Sequence, residues 1–101
     1  MTGVQTCALP ILEVFKDLIR LEVLNLSSNQ LKSLDGKLLQ FNHNLVEINF
    51  SNNEIENIGE DILNYSQRLV TFDFTENQCY VKYSTNKNNV IQNIIRNCWK
   101  A

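Results

Sequence analysis

LEVLNLSSNQLKSL (21–34), LVEINFSNNEIENI (45–58) and LVTFDFTENQCYVK (69–82) start 24 residues apart and follow one pattern, LxxLxLxxNxLxxL. The key places hold Leu21, Leu24, Leu26, Asn29, Leu31, Leu34; then Leu45, Ile48, Phe50, Asn53, Ile55, Ile58; then Leu69, Phe72, Phe74, Asn77, Cys79 and a single miss at Lys82. With fifteen Asn in the chain, three aligned asparagines alone would arise by chance about 0.003 of the time. A fixed period of this length outranks local propensity, because each unit can bury its apolar face only against its neighbours.

The LxL step alternates apolar and polar as a short strand does, and one strand every 24 residues predicts a stacked parallel sheet. Asn29, Asn53 and Asn77 follow each strand, where an amide with two donors and an acceptor can satisfy backbone groups as the chain bends. Beyond the turn, Val14-Phe15, Leu38-Leu39 and Ile62-Leu63 recur at the same spacing. They predict a second, convex wall of inward-facing apolar pairs, and hence a thin core.

These windows resemble the leucine-rich repeats in their 24-residue form. The resemblance covers residues 12–82, as a partial repeat over 12–20 and repeats starting at 21, 45 and 69. It implies an α/β solenoid with a short parallel β-sheet on its concave face, irregular or short helical segments outside, and a ladder of structural asparagines at Asn29, Asn53 and Asn77.

After Lys82 the period stops. Val90, Ile91, Ile94, Ile95 and Cys98 fall at helical spacing, and Ser84, Thr85 or Asn86 can cap such a helix. Residues 83–101 therefore read as a C-terminal helical cap, the terminal element a solenoid needs. Cys79 stands where a repeat wants Leu or Ile, and Cys98 lies on the helix face expected to meet it. The N-x-C, linker, helix and C-W order is similar to the C-terminal caps of secreted insect leucine-rich-repeat proteins, some of which act in innate immunity. It lacks the four-cysteine pattern of the vertebrate extracellular cap. The resemblance implies a Cys79–Cys98 disulfide; two reduced, core-filling cysteines are the other reading.

MTGVQTCALPI (1–11) has no place in the register and resembles a translated sequencing-library adapter, so it is read as an artefactual leader. A genuine disordered leader is the competing reading. Setting the leader aside removes Cys7 and leaves an even cysteine pair. On that reading residues 12–20 are the tail of a repeat whose start, with any signal peptide, would lie upstream in a longer protein.

Nine Lys+Arg against eleven Asp+Glu give a net charge of -2, and the basic residues are scattered singly. That argues against nucleic-acid binding. No apolar run approaches the roughly 18 residues of a membrane span. His43, the one histidine, sits in FNHN without a second histidine or a nearby nucleophile, so neither catalysis nor a metal centre is expected and no cofactor is implied. Glu54, Glu56, Glu60 and Asp61 form an acidic run that reads as a solvated face.

The resemblance places ligand contacts on the concave sheet, at Val23, Asn25, Ser27, Glu47, Asn49, Ser51, Thr71, Asp73 and Thr75. They are small, polar and mildly acidic, without the Trp, Tyr or Arg of a typical hot spot. The alternative is a merely solvated sheet, with binding on other repeats. Three N-x-[ST] sequons, at Asn25, Asn49 and Asn64, would be glycan acceptors in a secreted chain. Chance alone predicts about 1.6 sequons at this composition. Asn64, on the convex loop, is the acceptor that leaves the concave face clear. Trp99 is expected to shield the disulfide or to anchor a downstream domain.

The resulting expectation is a non-catalytic protein-binding or pattern-recognition module of an extracellular protein. An intracellular scaffold or regulatory subunit is the alternative, and a docking module of an upstream enzyme is more remote. An uncapped N-terminal sheet edge, exposing Leu21, Leu24 and Leu26, is expected to make the isolated chain behave poorly.

Overall fold

The computed structural model describes residues 15–99. The leader 1–11, Cys7, Val14 and the last two residues lie outside the described residues. Three strands, β1 (Val23–Asn25), β3 (Glu47–Asn49) and β5 (Thr71–Asp73), form one parallel sheet in the order β1-β3-β5. The register pairs Leu24 with Ile48 and Ile48 with Phe72, the same 24-residue step as the sequence windows. Along each strand the middle residue is buried and its neighbours face solvent or lie half-buried. That alternation is the period-two geometry of a strand with one wet face.

A second parallel pair, β2 (Ser33–Leu34) and β4 (Asn57–Ile58), runs along the far side of the core. This pair is additional to the single sheet expected from the sequence. Elsewhere on that side the chain turns through short backbone bonds such as Leu38 N–H to Asp35 O and Ile62 N–H to Gly59 O, and no helix lies between β1 and β5.

The core between the two sheets is filled by the pattern positions. Ile48, Phe50, Ile55 and Ile58 have no measurable exposure, and Phe15, Leu38, Leu39, Ile62 and Leu63 close the opposite wall. Phe50 and Phe74 stack with ring centroids 5.6 Å apart, a favourable offset aromatic pair. Leu24 and Leu26 are buried, and Leu21 is half-buried against the core. The expectation that these three leucines lie exposed at an open edge is therefore corrected: they point into the slab.

The third window departs from the first two at its end. Val81, not residue 82, enters the core, and the described residues hold no third strand beside β4. The Ile58 N–H instead donates to the carbonyl of Cys98 at 2.9 Å, while Gly59 N–H donates to Leu34 O at 2.8 Å. The end of the helix thus takes the place that a further strand would fill.

That helix, α1 (Lys87–Asn97), is capped by Asn86, whose side chain accepts from the Asn89 N–H. Val90, Ile94 and Cys98 are buried and Ile91 is half-buried, but Ile95 is 38% exposed. The buried stripe is narrower than the five-residue face read from the sequence. Positions 90, 94 and 98 follow one i, i+4 line and 95 falls beside it. Cys79 and Cys98 stand with Cα atoms 5.4 Å apart and sulfurs at disulfide distance.

Candidate functional site

Each strand is followed by the same turn. Ser28, Asn52 and Glu76 adopt left-handed backbone with φ of 58°, 57° and 60°, one residue before each aligned asparagine. The bend turns backbone groups inward that no strand pairs, and the asparagines satisfy them. Asn53 Oδ1 accepts from the N–H groups of Asn29 and Leu31, both at 3.1 Å. Its Nδ2 donates to Leu26, Phe50 and Ser51 carbonyls at 3.0–3.1 Å. Asn77 repeats this one unit on: its Oδ1 accepts from Asn53 and Ile55, and its Nδ2 donates to Phe50, Phe74 and Thr75. Asn29 Nδ2 donates to Leu26 and Ser27. The structure thus brings the three asparagines into one continuous row, with five hydrogen bonds on Asn53 and five on Asn77.

That row fixes the wet face of the β1-β3-β5 sheet. Val23, Glu47 and Thr71 form one line across the strands, and Asn25, Asn49 and Asp73 form the next. Ser27, Ser51 and Thr75 follow at the strand ends, half-buried. The second line is held by its own turn bonds. Asn25 Oδ1 accepts from Ser27 N–H and Oγ, Asn49 Oδ1 accepts from Ser51 N–H at 2.9 Å, and Asp73 Oδ1 accepts from Thr75 N–H and Oγ1. These side chains are therefore oriented before any ligand arrives. Val23 is 54% exposed, and Glu47 is also exposed. The face is mildly acidic, polar and ordered.

The sequons differ in setting. Asn25 and Asn49 lie on that sheet face. Asn64 lies exposed on the opposite, loop-bearing side, its Nδ2 donating to Asp61 Oδ1 at 3.0 Å. Ser66 of the same sequon is buried, its Oγ donating to the carbonyls of His43 and Leu45. His43 is an exposed loop residue with Nδ1 2.7 Å from the Tyr65 carbonyl oxygen. Glu54 pairs with Lys32 at 3.1 Å across neighbouring windows.

A small surface recess beside Cys79 is lined by Glu56, Gln78 and Asn97, whereas Trp99 borders a different recess, between the turns at 35–37 and 59–61. The turn glycines there are a feature the sequence reading passed over. A Cβ on Gly59 would lie 2.3 Å from the Gly36 nitrogen. A Gly shortly after the last apolar place of each of the first two windows, Gly36 after Leu34 and Gly59 after Ile58, was the available signal.

Among the described residues no cluster of three or more His, Cys, Asp or Glu could hold a metal ion, and no helix is long and apolar enough to cross a membrane. No protein-family model, curated protein or solved structure matches the chain at a significant level.

Proposed function

We propose that the chain is part of a leucine-rich-repeat solenoid and serves as a non-catalytic recognition module of an extracellular protein, binding a protein or pattern ligand on the wet face of its three-stranded sheet. The observation that carries this reading is the ordered, in-register array of Val23, Glu47, Thr71, Asn25, Asn49 and Asp73, held by the asparagine row behind it. A surface whose side chains are already oriented loses little further entropy on binding, so its affinity and selectivity come from the outward positions. The proposed secreted setting draws support from Cys79 and Cys98 at disulfide distance and from the exposed Asn64 acceptor.

Non-reducing peptide mapping by mass spectrometry, on protein purified from its source, tests the setting. A linked Cys79–Cys98 peptide together with sugar on Asn64 is the expected result. Free thiols and bare asparagines would replace this reading with an intracellular scaffold or regulatory subunit.

A further inference from the structure

The first and last residues of the Asn64 sequon stand in opposite settings. Asn64 is exposed, whereas Ser66 keeps only 4% of its surface in contact with solvent. Ser66 Oγ donates to the Leu45 carbonyl at 2.6 Å and lies 3.1 Å from the His43 carbonyl oxygen, on the turn one period earlier. The Ser66 carbonyl accepts from the Leu69 N–H at 3.5 Å and from Lys87 Nζ, at the start of the cap helix, at 3.4 Å. One unit back the same place is held by Asn42, also buried, whose Nδ2 donates to the Phe15 and Leu18 carbonyls, again one period earlier. A buried polar side chain at this step therefore ties each turn to the one before it. In the third window that tie is the sequon hydroxyl. The Asn25 sequon is built differently: its Ser27 Oγ is half-buried and donates within the sequon, to Asn25 Oδ1.

We propose that Asn64 accepts its glycan only before the turn at 64–66 stacks on the turn at 42–45, and that folding closes the site. This rests on the secreted setting proposed for the chain. The hydroxyl two residues after the asparagine defines the acceptor, so the transferring enzyme has to reach Ser66 Oγ. The fold commits that oxygen to backbone carbonyls and buries it, and the two uses exclude each other. In the transfer, Asn64 Nδ2 bonds to the anomeric carbon of a lipid-linked diphosphate oligosaccharide. The bond from that carbon to the phosphate oxygen breaks, the lipid diphosphate leaves, and one amide proton passes to solvent. The product still fits the fold. Asn64 points outward, and its remaining N–H suffices for the 3.0 Å bond to Asp61 Oδ1. Residues 64–66 are synthesised before the cap helix that ties down the Ser66 carbonyl, so the acceptor is open first and sealed last.

The test takes the full chain, unglycosylated and folded as circular dichroism verifies, with a purified oligosaccharyltransferase and its lipid-linked donor. Peptide mass spectrometry reads the rate of modification at Asn64. A synthetic peptide of residues 60–70 is the unfolded reference. The folded chain should be modified at least about 100-fold more slowly than the peptide, since only its unfolded fraction can react. A Cys79→Ala/Cys98→Ala double variant, with a larger unfolded fraction, should react at least about tenfold faster than the parent chain; if it fails to fold, it should match the peptide. A folded chain modified as fast as the peptide, or a double variant no faster than its parent, would overturn the proposal. Failure of the secreted setting is read separately: protein from its source would lack sugar on Asn64 while these relative rates held.

Discussion

Asn77 Oδ1 accepts from the backbone N–H of Asn53 at 3.2 Å while Asn53 Oδ1 accepts from the N–H of Asn29 at 3.1 Å, so each asparagine holds the turn of the unit before it. The row is directional, and its middle member is the one that both gives and receives support. Asn53 is also buried, whereas Asn29 is exposed.

Asn53→Ala removes five hydrogen bonds at once and leaves the N–H groups of Leu31 and Asn29 without their acceptor, while the Phe50 and Leu26 carbonyls keep Asn77 Nδ2 and Asn29 Nδ2 as donors. At about 1–3 kcal/mol for each buried group left unpaired, the loss should be about 2–4 kcal/mol. Asn29→Ala should cost less than half as much. Urea denaturation of the two variants checks the order, and equal losses would mean that the row does not act as a stack.

The left-handed residues make a prediction of the opposite sign. Glu76 occupies a φ of 60°, a conformation costing roughly 1–2 kcal/mol for most L-residues but tolerated by asparagine, which already stands at Asn52. Glu76→Asn should raise stability by about 0.5–1 kcal/mol. Glu76→Val should lower it by at least about 1 kcal/mol, since a β-branched side chain fits that region worst. Thermal melts of both variants decide the matter.

Gly59 and Gly36 face each other unequally. A Cβ on Gly59 would meet the Gly36 nitrogen at 2.3 Å and its Cα at 2.5 Å, while a Cβ on Gly36 would meet nothing nearer than 3.4 Å. Gly59→Ala should therefore destabilise by about 1–3 kcal/mol through overpacking against backbone that cannot yield, and Gly36→Ala by less than about 1 kcal/mol. A pair of equal denaturation midpoints would show that the two turns separate easily.

The strands, their parallel order and the role of the asparagines were legible because they depend on period alone. A 24-residue step fixes which residues stack, and alternation fixes which face is dry. What escaped depends on contacts between backbones. The two-residue strands β2 and β4 are too short to leave a period-two signature at Ser33–Leu34 and Asn57–Ile58. The slip that buries Val81 in place of residue 82 follows from Cys98 O occupying the hydrogen-bonding lane of Ile58, a docking event no periodicity encodes. Asn25, Asn49 and Asp73 were read as outward positions, but their binding to Ser27, Ser51 and Thr75 required the turn geometry.

Four ties among the described residues hold the cap: the Cys79–Cys98 pair, the Ile58 N–H to Cys98 O bond, Asn97 Nδ2 donating to Tyr80 O at 2.8 Å, and Lys87 Nζ donating to Ser66 O at 3.4 Å. Two of the four converge on Cys98, which has no exposure. A cross-link closing a loop of about 20 residues contributes roughly 3 kcal/mol by restricting the unfolded chain, so a Cys79→Ala/Cys98→Ala double variant should lose about that amount. The loss should fall unevenly. Val90 and Ile94 still have a core to pack against, so α1 should remain, while the strand lane at Ile58 loses its anchor. In hydrogen exchange, the Ile58 amide should lose protection by at least tenfold relative to Leu26, whose N–H bonds to Asn49 O within the other sheet. Uniform loss at both amides would mean that the cap and the strands unfold as one unit, and that the cysteine pair stabilises the whole slab instead of its end.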